Sequence, residues 1–371
     1  MSRDALIQAN LQKRTREAHV ESMGFDFVRE GEVLATWFRQ ATPGTTYWRC
    51  HVPAKYLPGQ VVAIEQDSLT LETLEDGTEL PHLKYADGAL IWQFLGDDGR
   101  SRIALEMKRQ GKLTLMEVDD NYLRHAPPLY GKHGSWTRTH AEAVANGTGY
   151  SIEMHKKVVP LMDGIICATD NLADEYADWN DNVYVCRNSI DPVDWEGFPE
   201  RPESETLRIG YYGSPSHLKD YPRAKKALKW AARQPDVEVL FIGFSPPGWT
   251  GPVRPWEDKM FAARSHLADI DVGIAPLTQN PWANGKSDVK ALEYSMAGVM
   301  PILEDCPCYS PWKDAGWEWM PSSEAEWVDA IHDVVSMRDD VPLLAAEAKA
   351  YVLGERTIEH EIHTWREAIH A

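Results

Sequence analysis

Apolar residues along the chain alternate between two patterns. Short, nearly unbroken runs such as Ala89-Leu-Ile-Trp-Gln-Phe94, Leu113-Thr-Leu-Met-Glu-Val118 and Val237-Glu-Val-Leu-Phe-Ile242 have the length and composition of strands covered on both faces. Between them, apolar positions recur three and four apart, the spacing of a helix with one buried face. The pattern predicts strands at 33–37, 61–64, 89–94, 113–118, 164–168, 183–186, 207–212, 237–242, 270–275 and 300–303. It predicts helices at 4–20, 102–110, 151–161, 171–177, 221–233, 259–267 and 287–297, then three more at 324–337, 342–352 and 356–370. Thr42-Pro-Gly-Thr and Asp76-Gly77 read as turns, and His51 to Leu57 as a loop or helix start carrying Pro53.

Strands alternating with helices imply βαβ units and mostly parallel sheets. Residues 191–206 carry three prolines and no periodicity, which marks an interdomain linker. The expected class is α/β, with two Rossmann-like, doubly wound domains facing a cleft and a helical tail. The expected division is a first domain at 1–195, a linker at 196–206, a second domain at 207–345, and C-terminal helices at 346–371 that cross back to the first. Ligands of such sheets sit at the carboxyl ends of the strands.

Composition narrows this picture. With 43% apolar residues among 371, the chain is not intrinsically disordered, and no run approaches the roughly 20 apolar residues of a membrane span. The N-terminal segment is charged and lacks an apolar signal core, and five cysteines fit reduced thiols, so a cytoplasmic location is expected. The net charge of −19 divides into −3 over residues 1–150 and −16 over 151–371. An acidic chain is a poor default binder of nucleic acid. A local surplus at Arg100, Arg102, Lys108, Arg109, Lys112, Arg124, Lys132 and Arg138 nonetheless leaves a basic face open.

The segment from Asp271 to Gly298 holds most of the candidate chemistry. It reads strand, loop, helix, and delivers Gly285-Lys286-Ser287 to the helix start. Amides at a helix N-terminus together with a lysine form an anion site. Lys286, Lys290 and Glu293 are spaced four and three apart, which on one helix places them on a shared face. Two cations followed by a carboxylate suit a nucleotide, with phosphates at the helix start and ribose hydroxyls on Glu293. The alternative is a solvated helix with a Lys290–Glu293 pair. A Walker loop is excluded, because Asn280 stands where its first glycine belongs.

The same segment resembles the nucleotide-sugar-binding segment of retaining glycosyltransferases of the GT-B fold, in the family 4-like group. The resemblance rests on Ala275-Pro276-Leu277 and then Lys290, Glu293, Tyr294, Gly298 and Pro301. Ile209-Gly210-Tyr-Tyr-Gly213-Ser214-Pro215-Ser216-His217 resembles the glycine-rich first turn of the second domain in that group. Arg187-Asn188-Ser-Ile-Asp191-Pro192 resembles the exit from its first domain, and Leu115-Met-Glu-Val-Asp119-Asp120 resembles a strand end found in a subset. The likeness covers about residues 86–320.

What the resemblance implies is glycosyl transfer from a nucleoside-diphosphate sugar, such as a UDP-sugar, to an acceptor hydroxyl, with retention and without a metal. No cofactor beyond the co-substrate is implied. Lys286 and Lys290 would act on the diphosphate, and Gly213, Ser214, His217, Lys219, Gly285, Ser287 and Glu293 would bind the donor. Arg49, Asp119, Asp120 and Asn188 would lie on the acceptor side. Many members carry a second glutamate eight residues before the ribose-binding one, where this chain has Gly285. Donor-sugar contact would then come from amides around Asn284–Ser287 or from other side chains.

Each position has a plainer reading. Asp119-Asp120 would either hold a metal or cap a strand end; His217 would meet a phosphate or sit in an exposed loop; Arg49 would reach the cleft or lie on the surface. His360-Glu-Ile-His363 lacks zinc-protease spacing, Cys306-Pro-Cys308 is too tight for zinc, and Trp312, Trp317 and Trp319 read as packing. Two further activities suit the same donor pocket: a nucleotide-sugar 2-epimerase and a non-catalytic binding protein. The acceptor stays open among glycans, lipid carriers, proteins and polyanions, the last including a hydroxymethylated base in phage DNA.

Overall fold

A computed structural model describes residues 33–38, 47–57, 61, 63–66, 88–92, 98–123, 152–199, 204–255 and 264–370. The helix expected at 4–20, the turns at Thr42-Pro-Gly-Thr and Asp76-Gly77, and Arg124, Lys132 and Arg138 lie outside them. Within the described residues the chain divides into two compact units. One runs to Arg187 and takes back the end of the last helix from Glu361; the other is Asn188–His360.

The first unit holds six strands: β1 Val33–Phe38, β2 Ala63–Gln66, β3 Gly88–Trp92, β4 Leu113–Val118, β5 Gly164–Cys167 and β6 Val183–Val185. They pair in the order β2-β1-β3-β4-β5-β6, every described pairing parallel. Helices α1 Val52–Tyr56, α2 Asp98–Arg109, α3 Ile152–Val158 and α4 Asp170–Ala177 connect them. The unbroken apolar runs of β4 and β5 have the physical reason expected of them: Leu115, Met116, Val118, Ile165, Ile166 and Cys167 are all buried. Helix α4 starts where it does because Thr169 caps it, its hydroxyl accepting from the Leu172 amide at 3.2 Å.

The second unit repeats the plan with β7 Leu207–Tyr212, β8 Val237–Ile242, β9 Val253–Arg254, β10 Val272–Ala275 and β11 Met300–Leu303, in the order β11-β10-β7-β8-β9. All its pairings are parallel too. Helices α5 Tyr221–Ala231, α6 Val289–Met296, α7 Ser310–Asp314, α8 Glu324–Ser336, α9 Val341–Glu355 and α10 Ile358–His370 complete it, the last passing into the first unit. Its core joins Ile209, Tyr211, Phe241, Ile274 and Ile302 from the sheet to Leu228, Trp327 and Ile331 from α5 and α8.

Ten predicted strands lie within two residues of observed ones, while the short edge strand β9 and helix α7 had no clear signal. Helix α6 begins later than predicted, at Val289, because Ala283–Gly285 forms a separate 3-10 turn and Lys286 is extended at ψ 154°. It ends at Gly298, whose φ of +69° suits glycine and lets the Val299 amide return to Tyr294 O at 2.9 Å before β11. The Pro192–Trp195 stretch, read as linker, is a 3-10 turn of the second unit capped by Asp191.

Candidate functional site

Strands β7 and β10 are neighbours, so the loops leaving their carboxyl ends lie side by side. Asp220, fully buried, fastens one to the other: its Oδ1 accepts from the Thr278 amide at 2.9 Å and Thr278 Oγ1 donates to Lys219 O at 3.2 Å. Asp220 Oδ2 also lies 3.1 Å from His217 Nδ1. The loop after β7 is thereby held as a 3-10 turn, Pro215–Lys219, against the segment that leads to α6.

Gly213 stands between β7 and that turn, and its missing side chain is what leaves room for two others. A Cβ built there would stand 2.8 Å from His217 Cδ2 and 3.3 Å from Lys290 Nζ. Gly213, His217 and Lys290, from the loop after β7 and the first turn of α6, therefore converge on one point. Lys290 Nζ also lies 5.1 Å from the centre of the Tyr211 ring. Burial lowers the Lys290 ammonium to about 8, helped by the neighbouring Lys286 charge and opposed by Asp220 and Glu293. The half-buried Lys286 lies over the Trp282 ring at 5.8 Å.

Glu293 follows Lys290 by one turn and is buried. Its Oε1 accepts from Arg264 Nε at 3.1 Å. Burial raises its carboxyl from the ordinary range, against the pull of Arg264 and Lys290. The next residue, Tyr294, anchors the helix to both strands: its hydroxyl donates to Ile274 O at 2.9 Å and accepts from the Tyr212 amide at 3.1 Å.

Several expected roles change. Lys286 precedes α6 and does not share a helix face with Lys290 and Glu293. The Gly213 amide donates to Ile242 O at 3.0 Å, so it does not face a ligand. The amides of Asn284, Gly285 and Lys286 donate to Asn280, Trp282 and Ala283 carbonyls, closing the turn on itself. His217 is pushed down to about 4, by burial first and then by Lys290. A neutral ring donating from Nδ1 to Asp220 leaves Nε2 as an acceptor, fit for a hydroxyl; it donates to a phosphate only once protonated. Lys219 and Ser214 stay on this turn, half-buried.

Asn188 belongs to the second unit, not to an acceptor surface. Its Nδ2 donates to Ser287 Oγ at 2.7 Å, and its carbonyl accepts from Arg356 Nη2 at 3.3 Å. Arg356 also meets Asp288, the residue before α6, with Nη1–Oδ2 at 2.5 Å and Nη2–Oδ1 at 3.1 Å. Trp312 Nε1 donates to the same carboxylate at 3.0 Å. Ser287 and Asp288 are thus held from three sides. Arg356, Arg264 and Asp220 escaped the sequence reading; Arg356 contacts a residue 68 positions away, which no local pattern reports.

In the first unit, Arg49 is a core residue. It is fully buried, ion-paired with Glu117 of β4, donates to Cys186 O at 2.6 Å and lies 5.0 Å from the Trp365 ring centre. It therefore presents nothing to an acceptor. Asp119 and Asp120 follow β4, half-buried, with Tyr122 Oη donating to Asp119 Oδ1 at 2.8 Å. Among the described residues no group of three His, Cys, Asp or Glu side chains is arranged for a metal. Lys108 pairs with Asp163 at 2.7 Å and Arg109 with Glu106 at 2.7 Å, which reduces the basic surplus seen in the sequence. No described helix is long and apolar enough to cross a membrane.

No protein-family model matches the sequence, and no curated protein is similar to it by sequence. Solved structures are similar in fold. Anabaena HepE in complex with UDP-glucose superposes with a TM-score of 0.61 at 12% identity, over 91% of this chain and 99% of that one. The trehalose-6-phosphate synthase OtsA gives 0.57 at 12%, over 91% and 97%. A TarM variant from S. aureus, solved with UDP and other ligands, gives 0.50 at 10%, over 78% of this chain and only 58% of its own. With two Rossmann-like units, each built on a parallel sheet, and C-terminal helices, the chain has the fold of the GT-B glycosyltransferases.

Proposed function

We propose that the chain transfers a sugar from a nucleoside-diphosphate sugar, with a UDP-sugar as donor, to an acceptor hydroxyl, with retention and without a metal ion. One observation carries this reading: Gly213, His217 and Lys290 meet at a single point, one helical turn from Glu293, at the carboxyl end of the sheet. HepE in complex with UDP-glucose supports the donor class, and a trehalose-6-phosphate synthase solved in a study of glycosyl transfer with retention supports the stereochemistry. In the reaction the bond from the anomeric carbon to the diphosphate breaks and a bond to the acceptor oxygen forms. The acceptor proton passes to a phosphate oxygen of the leaving UDP. Lys290 and Lys286 oppose the charge that grows on that diphosphate. Glu293 accepts from the ribose hydroxyls through the oxygen that Arg264 does not hold.

Incubation with UDP-glucose and other UDP-sugars tests the class. UDP released only with an acceptor marks a transferase; a changed sugar without one marks an epimerase; binding alone marks a non-catalytic protein. Glu293→Gln is expected to raise the donor KM by about 10-fold or more while the far-ultraviolet dichroism stays unchanged, because a charged acceptor contributes about 1.5–3 kcal/mol per hydrogen bond. Unchanged KM and kcat would remove Glu293 from the site. Gly213→Ala is expected to weaken UDP binding by about 10-fold or more, since the new methyl forces His217 and Lys290 apart. Calorimetric titration with UDP checks this, and equal affinity in the variant would place the nucleotide elsewhere.

For the acceptor, the local basic surplus between Arg100 and Arg138 marks a candidate binding side, whereas the −16 of residues 151–371 is shared by both units and favours neither. A hydroxymethylated base in viral DNA fits such a side, as does any smaller hydroxyl compound. With Lys108 and Arg109 already paired, a DNA contact would fall to Arg100, Arg102, Arg124, Lys132 and Arg138. Gel-shift titration of plain and hydroxymethylated duplexes at two salt concentrations decides: binding that weakens steeply with salt keeps DNA, and none at low salt removes it. Use of a nucleotide sugar and five free cysteines fits a cytoplasmic setting.

A further inference from the structure

Glu293 is buried, and a buried carboxylate without a partner picks up a proton rather than stay charged. An ionised carboxylate accepts from two hydroxyls, whereas a protonated one gives up part of that capacity. Any role for Glu293 with a diol therefore depends on what keeps it charged and still. The groups that face it are Arg264, Lys290, Tyr212 and Tyr294. Both tyrosine hydroxyls are pushed far above their ordinary range by burial, so neither competes for charge near neutrality. Lys290 lies on the same helix and converges with Gly213 and His217. That leaves Arg264 as the cation in direct contact, at 3.1 Å from Oε1, both side chains being almost wholly buried.

Arg264 is itself held in place. Its guanidinium carbon lies 4.7 Å from the centre of the Trp195 ring, and Trp195 packs on Phe198 at 5.4 Å. Trp195 comes from the 3-10 turn that Asp191 caps, so the segment leading into the second unit sets where the guanidinium can sit. The contact is one-sided, Nε to Oε1, and occupies only one carboxylate oxygen.

We propose that Arg264, clamped by Trp195, is the positioning residue of Glu293: it keeps the carboxylate ionised and turned so that the remaining oxygen meets the ribose hydroxyls of the donor. This rests on the reading of Glu293 as the ribose-binding group. It assigns to Arg264 no contact with the sugar, the phosphates or the reacting atoms. Its consequence is a pH dependence confined to hydroxyl recognition, present only when the guanidinium is gone. Removing Arg264 takes away the charge that opposes the effect of burial, so the Glu293 pKa rises and the carboxyl is protonated at low pH and ionised again as pH rises.

The test compares affinities for UDP and for 2′,3′-dideoxy-UDP by calorimetry between pH 6 and 9. Wild type is expected to prefer UDP by about 10-fold or more with little change across the range. Arg264→Met is expected to lose most of that preference at pH 6 and regain it toward pH 9. Arg264→Lys, which keeps a cation, is expected to follow wild type, and it stays informative if the methionine variant fails to fold. Thermal melts verify that each variant is folded. A preference in Arg264→Met equal to wild type at every pH would overturn the proposal. So would an equal, pH-independent loss in both variants, which marks a packing role only. A wild type that does not distinguish the two nucleotides overturns the ribose reading of Glu293, and the proposal with it.

Discussion

Lys290→Ala is expected to lower kcat by about 10²-fold or more while affinity for uridine changes little, because its charge acts on the diphosphate as the glycosidic bond breaks. Lys290 is a better candidate for this than its sequence neighbours: it lies 3.3 Å from where a Gly213 side chain would begin, and it is half-buried beside His217. The same burial predicts a pH profile. The free protein's Lys290 sits near 8, below an ordinary lysine, so the active cation is present below that pH and lost above it. The value of kcat/KM for a UDP-sugar should therefore fall as pH rises through about 8. Lys290→Arg, whose charge persists to far higher pH, should flatten that limb. A fall on the alkaline side that is identical in Lys290→Arg would assign it to another group. Equal loss of uridine affinity and turnover in Lys290→Ala would make the lysine structural.

The largest stability loss is expected from Arg356→Leu. Its pair with Asp288 is almost wholly buried, and removing one partner of a buried pair leaves the other charge without compensation, at about 3–5 kcal/mol. The loss is specific in place as well as size, since Asp288 stands between Ser287 and the first turn of α6 and also holds Trp312. Denaturation followed by tryptophan fluorescence measures it. Replacing both members, with Asp288→Leu added, should recover part of the loss, because no buried charge then remains. A double variant less stable than the single one would show that the hydrogen bond from Trp312 to Asp288 outweighs the cost of leaving that carboxylate unpaired.

Two of these predictions concern residues of very different visibility. Lys290 and Glu293 were legible in the sequence because their chemistry is local: a spacing of three on a helix sets them on one side whatever the rest of the chain does. Gly213 was legible for the same reason, as a turn between a strand and a short helical segment. The strands β4, β7, β8 and β11 stand where their apolar runs placed them, since burial on both faces of a parallel sheet leaves few polar positions to blur the edges.

Local pattern misled where backbone hydrogen bonds were at issue. Gly213, Gly285 and Lys286 looked like donors of free amides, yet each amide is used by a carbonyl. Lys286 looked helical, but the residues around it form a tight turn and α6 starts only after Asp288. Arg49 looked like a surface or cleft residue; it is the buried partner of Glu117, 68 positions away.

By itself, then, the sequence determined the alternation of strand and helix, the α/β class, and the cation and carboxylate at the start of α6, because each depends on residues within a few positions of one another. Only the tertiary structure decided which groups those residues meet. Arg264 with Glu293, Arg356 with Asp288, Asp220 with Thr278 and Arg49 with Glu117 join positions 29 to 68 residues apart. Such contacts arise from the order in which parallel strands pair, and that order is set by the packing of the whole sheet rather than by any segment of it.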